Sequence, residues 1–119
     1  MPSFDDELAA LARVYTGAAL VEAPGRRLVR LPTATLTSAD WSPNPVRGLL
    51  VCDNWPDQRP QLLVGDELRR KGAEPANFSR QYQAGESWFG YSFQAPWDPA
   101  RPSLVPAVRG WLARFDGRP

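Results

Sequence analysis

The chain contains no histidine. That absence removes the usual general base, most zinc and iron sites, and any Ser-His-Asp or Cys-His nucleophile arrangement. Cysteine is nearly as scarce. Cys52 is the only one, so no internal disulfide can form, and the expected setting is a reducing cytoplasm. Lys71 is the only lysine and sits in the charged run Arg69-Arg70-Lys71, a poor place for a serine-activating amine. No apolar run approaches the ~18 residues of a membrane span. The acidic start, Phe4-Asp5-Asp6-Glu7, lacks the positive region of a secretory signal. Neither of the glycine motifs that cradle phosphates is present. A formal net charge of +1 provides no bulk field toward nucleic acid or acidic membrane.

What is present describes one globular domain spanning residues 1–119. Apolar residues make up 43% and charged residues 23%, a folding rather than a disordered composition. Proline occurs 13 times, which predicts short elements joined by stiff loops. Ser3 can cap a helix, and Phe4, Leu8, Leu11, Ala12 and Tyr15 recur at helical spacing, so a helix is expected over 4–16, with Gly17 at its end. Ala19 to Glu22 and Arg27 to Leu31 flank Pro24-Gly25, the centre of a type II turn, and read as a hairpin. Thr33 to Thr37 continues in β-favouring residues, and Ser42-Pro43-Asn44-Pro45 breaks the chain. Gly48 to Cys52 is a short, continuously apolar run of the kind found in buried strands, and Gln61 to Val64 is another short buried strand candidate. Asp66 to Gly72 reads as one or two helical turns. The aromatic stretch from Asn77 to Gln94 reads as a second hairpin around Ala84-Gly85-Glu86. A last helix follows Ser103, with Leu104, Val108, Trp111, Leu112 and Phe115 as its inward stripe and Gly117 and Pro119 as its stop. The expected fold is α+β: a helix, an antiparallel meander of four to six strands, and a helix.

Candidate chemistry is thin. Cys52 ends an apolar strand, where a thiol keeps a high pKa and stays inert. Asp53, Asp57, Asp66 and Glu67 carry hard-metal oxygens, but their spacing matches no calcium loop, and no metal or cofactor is expected. Ser87 and Ser92 have no activator. The aromatic stretch holds only Arg80 as a base, too little for a nucleic-acid face. Glu86 and Asp98, with Tyr91, could serve a carboxylate-dependent enzyme or ligand site on an unrelated α+β fold. Five tryptophans in 119 residues point instead to binding, because aromatic side chains anchor interfaces. Trp111 belongs to the helix stripe. Trp41, Trp55, Trp88 and Trp97 lie near turns, where some should be exposed, and with Arg59 and Tyr91 they form the candidate binding set. The competing reading has these rings plugging loops onto the core.

The order of motifs resembles the ubiquitin-conjugating-enzyme family, especially its divergent bacterial members and inactive variants. The likeness spans residues 4 to 115. An N-terminal amphipathic helix leads into strands, and Leu49 to Cys52, Trp55-Pro56, Pro60 and Leu62 to Val64 are similar to the family's strand, aromatic-Pro turn, proline and next strand. Trp97-Asp98-Pro99 followed by Leu104, Val108 and Leu112 is similar to its Trp-x-Pro element and following helix. The family's catalytic cysteine precedes that tryptophan, behind a His-Pro-Asn element. The equivalent stretch here, Glu86 to Ala95, has no cysteine, and Cys52 lies on an earlier strand. The resemblance therefore implies an inactive relative: an adaptor that binds a ubiquitin-like protein or an enzyme of that pathway. A conjugating enzyme using Cys52 from an unorthodox position is the catalytic alternative.

Overall fold

A computed structural model of the chain describes residues 3–92 and 97–115. Its elements run α1 (Phe4–Val14), β1 (Ala19–Leu20), β2 (Leu28–Ala34), β3 (Trp41–Ser42), β4 (Val46–Val51), β5 (Gln61–Gly65), β6 (Arg69–Arg70), β7 (Phe78–Gln83), β8 (Glu86–Tyr91) and α2 (Leu104–Ala113). Helix α1 starts where the Ser3 hydroxyl accepts from the Asp6 N–H at 3.1 Å, with three acidic residues in its first turn favouring the positive helix end. It stops two residues short of the expected limit. Tyr15 is already extended, and its N–H closes the helix on the Leu11 carbonyl at 2.8 Å.

Six strands form one antiparallel sheet in the order β1-β2-β4-β5-β8-β7, and β3 pairs with β6 in a separate ladder. The meander expected from the sequence holds from β1 to β5. The last hairpin then joins through its second strand, which leaves β7 at the edge. The Ala23-Pro24-Gly25-Arg26 turn closes with Arg26 N–H on the Ala23 carbonyl at 3.0 Å, and Gly25 takes a positive φ of 72°. Ala84 and Gly85, at φ 54° and 75°, turn the β7–β8 hairpin in the two-residue form that suits strand twist.

Strand alternation divides the apolar residues between the two sheet faces. Val29, Leu31, Leu50, Leu62, Val64 and Phe89 face both helices and join Leu11, Leu104, Val108 and Trp111 in the main core. Leu28, Leu49, Leu63 and Trp88 face the other way and are also fully buried. The apolar runs at 48–52 and 62–64 are uninterrupted because both of their faces are covered. All five expected residues of the last helix stripe are buried. Its expected stop, Gly117 and Pro119, lies outside the described residues.

The segment 66–72 is a correction. It is not helical. Asp66-Glu67 turns the chain, Leu68 is fully buried, and Arg69–Arg70 pair with Ser42 and Trp41. Lys71 and Gly72 then turn the chain with positive φ, and Arg70 and Ala73 bond each other. Seven residues cannot hold a helix by local bonds alone, and strand pairing beside Trp41 wins. Nor does β2 extend through Thr37. It ends at Ala34, and Asn44 takes both backbone groups of Leu36, at 2.9 and 2.6 Å. Among the described residues no helix is long and apolar enough to cross a membrane.

Candidate functional site

Each tryptophan in the structure donates its indole N–H to a backbone carbonyl. Trp55 bonds Pro102, Trp97 bonds Pro56 and Trp111 bonds Pro60, each at 2.8 Å. Trp41 bonds Phe115 and Trp88 bonds Gln83, each at 2.9 Å. The contacts of Trp55, Trp97 and Trp111 stitch the proline-rich 53–60 loop to the C-terminal segment. Trp41, Trp55 and Trp88 are buried, and the exposure expected of such anchors is absent there because each ring is packed on the core. Trp97, Arg59 and Tyr91 are half-buried. The six residues singled out as a binding set do not form one surface. Trp88 lies on the sheet face away from the helices, Trp55 under α1 beside Phe4, and Trp41 and Tyr91 near the end of α2.

Arginines cover four of these rings. The guanidinium of Arg47 lies 4.4 Å from the Trp88 ring centre, Arg59 lies 4.8 Å from Trp111, Arg70 5.5 Å from Trp41 and Arg27 5.9 Å from Trp55. A guanidinium over a ring face gains cation–π attraction and covers apolar surface with its stem while the charge stays near water. On the helix-free face, Arg47 also bonds Glu67 at 2.9 Å and Glu86 at 3.0 Å, and Arg30 bonds Glu86 at 2.6 Å. This network and the Trp88 indole together close over the second core.

The acidic sets expected from the sequence are therefore dispersed. Glu86 is held by Arg30 and Arg47 on that face, whereas Tyr91 points to the helix side and donates to the Trp111 carbonyl at 2.7 Å. Asp98 caps its own turn through the Ala100 N–H at 2.9 Å. The structure does not bring the three together. Asp53 accepts from Arg26 Nε at 2.9 Å and from the Arg27 N–H at 2.7 Å. The Arg26 hydrogen bond, despite some burial, holds its carboxyl below the usual carboxylate range. Asp66 and Glu67 turn to Arg47. Among the described residues no three acidic or sulfur side chains converge as metal ligands. The Cys52 thiol is 1% exposed, and burial, aided by the Asp53 charge, pushes its pKa up to about 12.

One cleft remains chemically legible. Trp41, Phe78, Tyr91 and Phe115 line an opening of about 350 Å³, with Arg70 and Arg114 at its sides. Phe78 stacks on Tyr91 with centroids 5.0 Å apart, and Phe115 meets Trp41 edge-on at 4.9 Å. The β7–β8 hairpin supplies Phe78 and Tyr91, the β3–β6 ladder supplies Trp41 and Arg70, and the end of α2 supplies Arg114 and Phe115. Of these, sequence reasoning named Trp41 and Tyr91 as binding residues. Phe78 and Phe115 carried an aromatic signal, but nothing in the local pattern marks Arg70, which reaches the site only through the β3–β6 pairing. Burial pushes the Tyr91 phenol up, against the opposing charges of Arg114 and Arg59, so it remains a neutral donor. No family model, curated protein or solved structure matches this chain.

Proposed function

We propose that this chain is a non-catalytic protein-binding module, an adaptor with a ubiquitin-conjugating-enzyme-like fold, whose docking site is the Trp41–Phe78–Tyr91–Phe115 cleft. The partner, by the resemblance of its motifs, is a ubiquitin-like protein or an activating or conjugating enzyme of that pathway. The observation that carries the reading is an open aromatic cleft flanked by two arginines, the side-chain types most enriched at binding hot spots. The chain's one thiol supports it from the other side. Cys52 is buried and stays protonated at neutral pH, which is the opposite of a nucleophile. A bacterial, cytoplasmic setting belongs to the same proposal, in keeping with a lone cysteine used as an apolar core residue.

Photo-crosslinking tests it. Ala76 is exposed and lines the cleft, so a benzophenone amino acid placed there should capture a ubiquitin-like protein or pathway enzyme in cells. The same group at Val14, an exposed position on α1, is the control. Equal capture from both positions, or none from Ala76, would remove the cleft as a docking site. A hydroxylamine-labile adduct on Cys52, formed with an activating enzyme and a ubiquitin-like protein, would overturn the non-catalytic reading.

A further inference from the structure

We infer that the cleft accepts a partner segment in which an aspartate or glutamate lies beside a large apolar or aromatic side chain. The inference rests on the docking reading above and names the chemistry of what docks. Arg70 carries it. The Arg70 guanidinium lies over the Trp41 ring in the cleft wall, and among the described residues its side chain has neither a hydrogen bond nor a carboxylate partner. The other partly buried arginines of the sheet are engaged. Arg30 and Arg47 hold carboxylates, and Arg69 donates to the Asp66 and Leu68 carbonyls at 2.9 and 2.8 Å. The Arg70 guanidinium is held 5.5 Å from the Trp41 ring centre with its N–H donors uncommitted, and a guanidinium's planar fork of donors can take a carboxylate through two parallel bonds.

Charge and shape restrict the occupant further. No acidic side chain is among the described residues lining the cleft, and Arg70 places a positive charge in its wall. A cationic ligand is therefore repelled despite the four rings. A wholly apolar segment would desolvate Arg70 without pairing it, which is costly. The walls are aromatic faces and edges that favour a ring or a branched apolar group. At about 350 Å³ the space is near the lower end for ligand sites, room for a large side chain and its neighbour rather than for a folded surface.

A random peptide library displayed on phage and selected on the whole purified protein tests this. Selection should enrich sequences with Asp or Glu next to an aromatic or large apolar residue. A synthetic winner should bind Arg70→Gln at least ~10-fold more weakly, the loss expected for one charge-assisted pair, with the melting temperature of the variant checked. Changing the peptide's own acid to its amide should have the same effect. Enriched peptides that lack an acid but still compete with a probe at Ala76 would overturn the acidic inference and leave the docking reading standing. No enrichment, or winners indifferent to both Arg70→Gln and a bulky Ala76→Trp, would overturn both.

Discussion

Tryptophan and arginine act in this protein as a pair of residue types. A buried indole brings one donor that needs a partner, and each here finds a carbonyl, three of them on prolines. The exposed ring surface is then covered by a guanidinium rather than by further apolar side chains. Trp88 shows what this means energetically. Fully buried, with its N–H bonded to Gln83, it is a core residue, and Trp88→Ala should cost ~3–5 kcal/mol of stability. At this chain length the melting temperature should fall by roughly 10 °C or more. A melt within a few degrees of the parent would show that the second core is not structural. Arg70→Gln, by contrast, removes one cation–π contact and should cost about 1 kcal/mol or less. The Ser87 hydroxyl is buried with no partner among the described residues, so Ser87→Ala should leave stability unchanged or raise it by up to ~1 kcal/mol in denaturant titration.

Among the secondary-structure elements, the two helices depend on each other at their beginnings. Ser103 occupies the cap position of α2 but makes no side-chain cap bond. The Glu7 carboxylate of α1 instead accepts the Leu104 N–H at 2.8 Å. A negative group at a helix start meets both the free N–H and the dipole. Glu7→Ala should cost ~1–2 kcal/mol in chemical unfolding, with Glu7→Gln intermediate because it keeps the acceptor and loses the charge. Equal stability of all three would mean that α2 needs no cap from α1. The β7–β8 turn makes a second case. Ala84 has a positive φ, a conformation that costs a side chain with a β-carbon ~1 kcal/mol or more. Ala84→Asn creates the Asn-Gly pair this turn favours and should stabilise by ~0.5–1 kcal/mol, read as a raised denaturation midpoint at constant slope.

For the molecule as a whole, the buried thiol and the Asp53 ion pair set opposite pH limits. Cys52 is raised to about 12 by burial, so the unfolded chain ionises first as pH rises. Stability from keeping the thiol neutral is present below the ordinary thiol pKa and is lost as pH climbs above it. Asp53 is lowered, chiefly by the Arg26 hydrogen bond. Its contribution is present above the ordinary carboxyl pKa and is lost as pH falls through the lowered value. Melting temperature against pH should therefore drop at both ends, with Cys52→Ala flattening the alkaline limb and Asp53→Asn the acid limb. In the native state, alkylation of Cys52 near neutral pH should run no faster than global unfolding. Rapid labelling of the folded protein would show an accessible thiol and revive a chemical role for it.

Local information in the sequence determined the elements. Periodicity and Ser3 set α1, the short apolar runs at 48–52 and 62–64 marked two buried strands, Pro24-Gly25 and Ala84-Gly85 set two hairpins, and the Leu104 to Phe115 stripe set α2. These are legible because each depends on neighbours a few residues apart. Residues 66–72 depart from their local helical signal for the converse reason: a seven-residue helical propensity is weak, and it yields to pairing with Trp41, far away in sequence. Tertiary structure alone decided that Trp41, Trp55 and Trp88 are buried beside arginines, and that Glu86, Tyr91 and Asp98 stand apart. It also decided that Arg70 and Phe115, distant along the chain, wall the cleft beside Trp41. Such a site is made by strand pairing and helix packing that close long loops, and no local pattern of side chains encodes where those closures will meet.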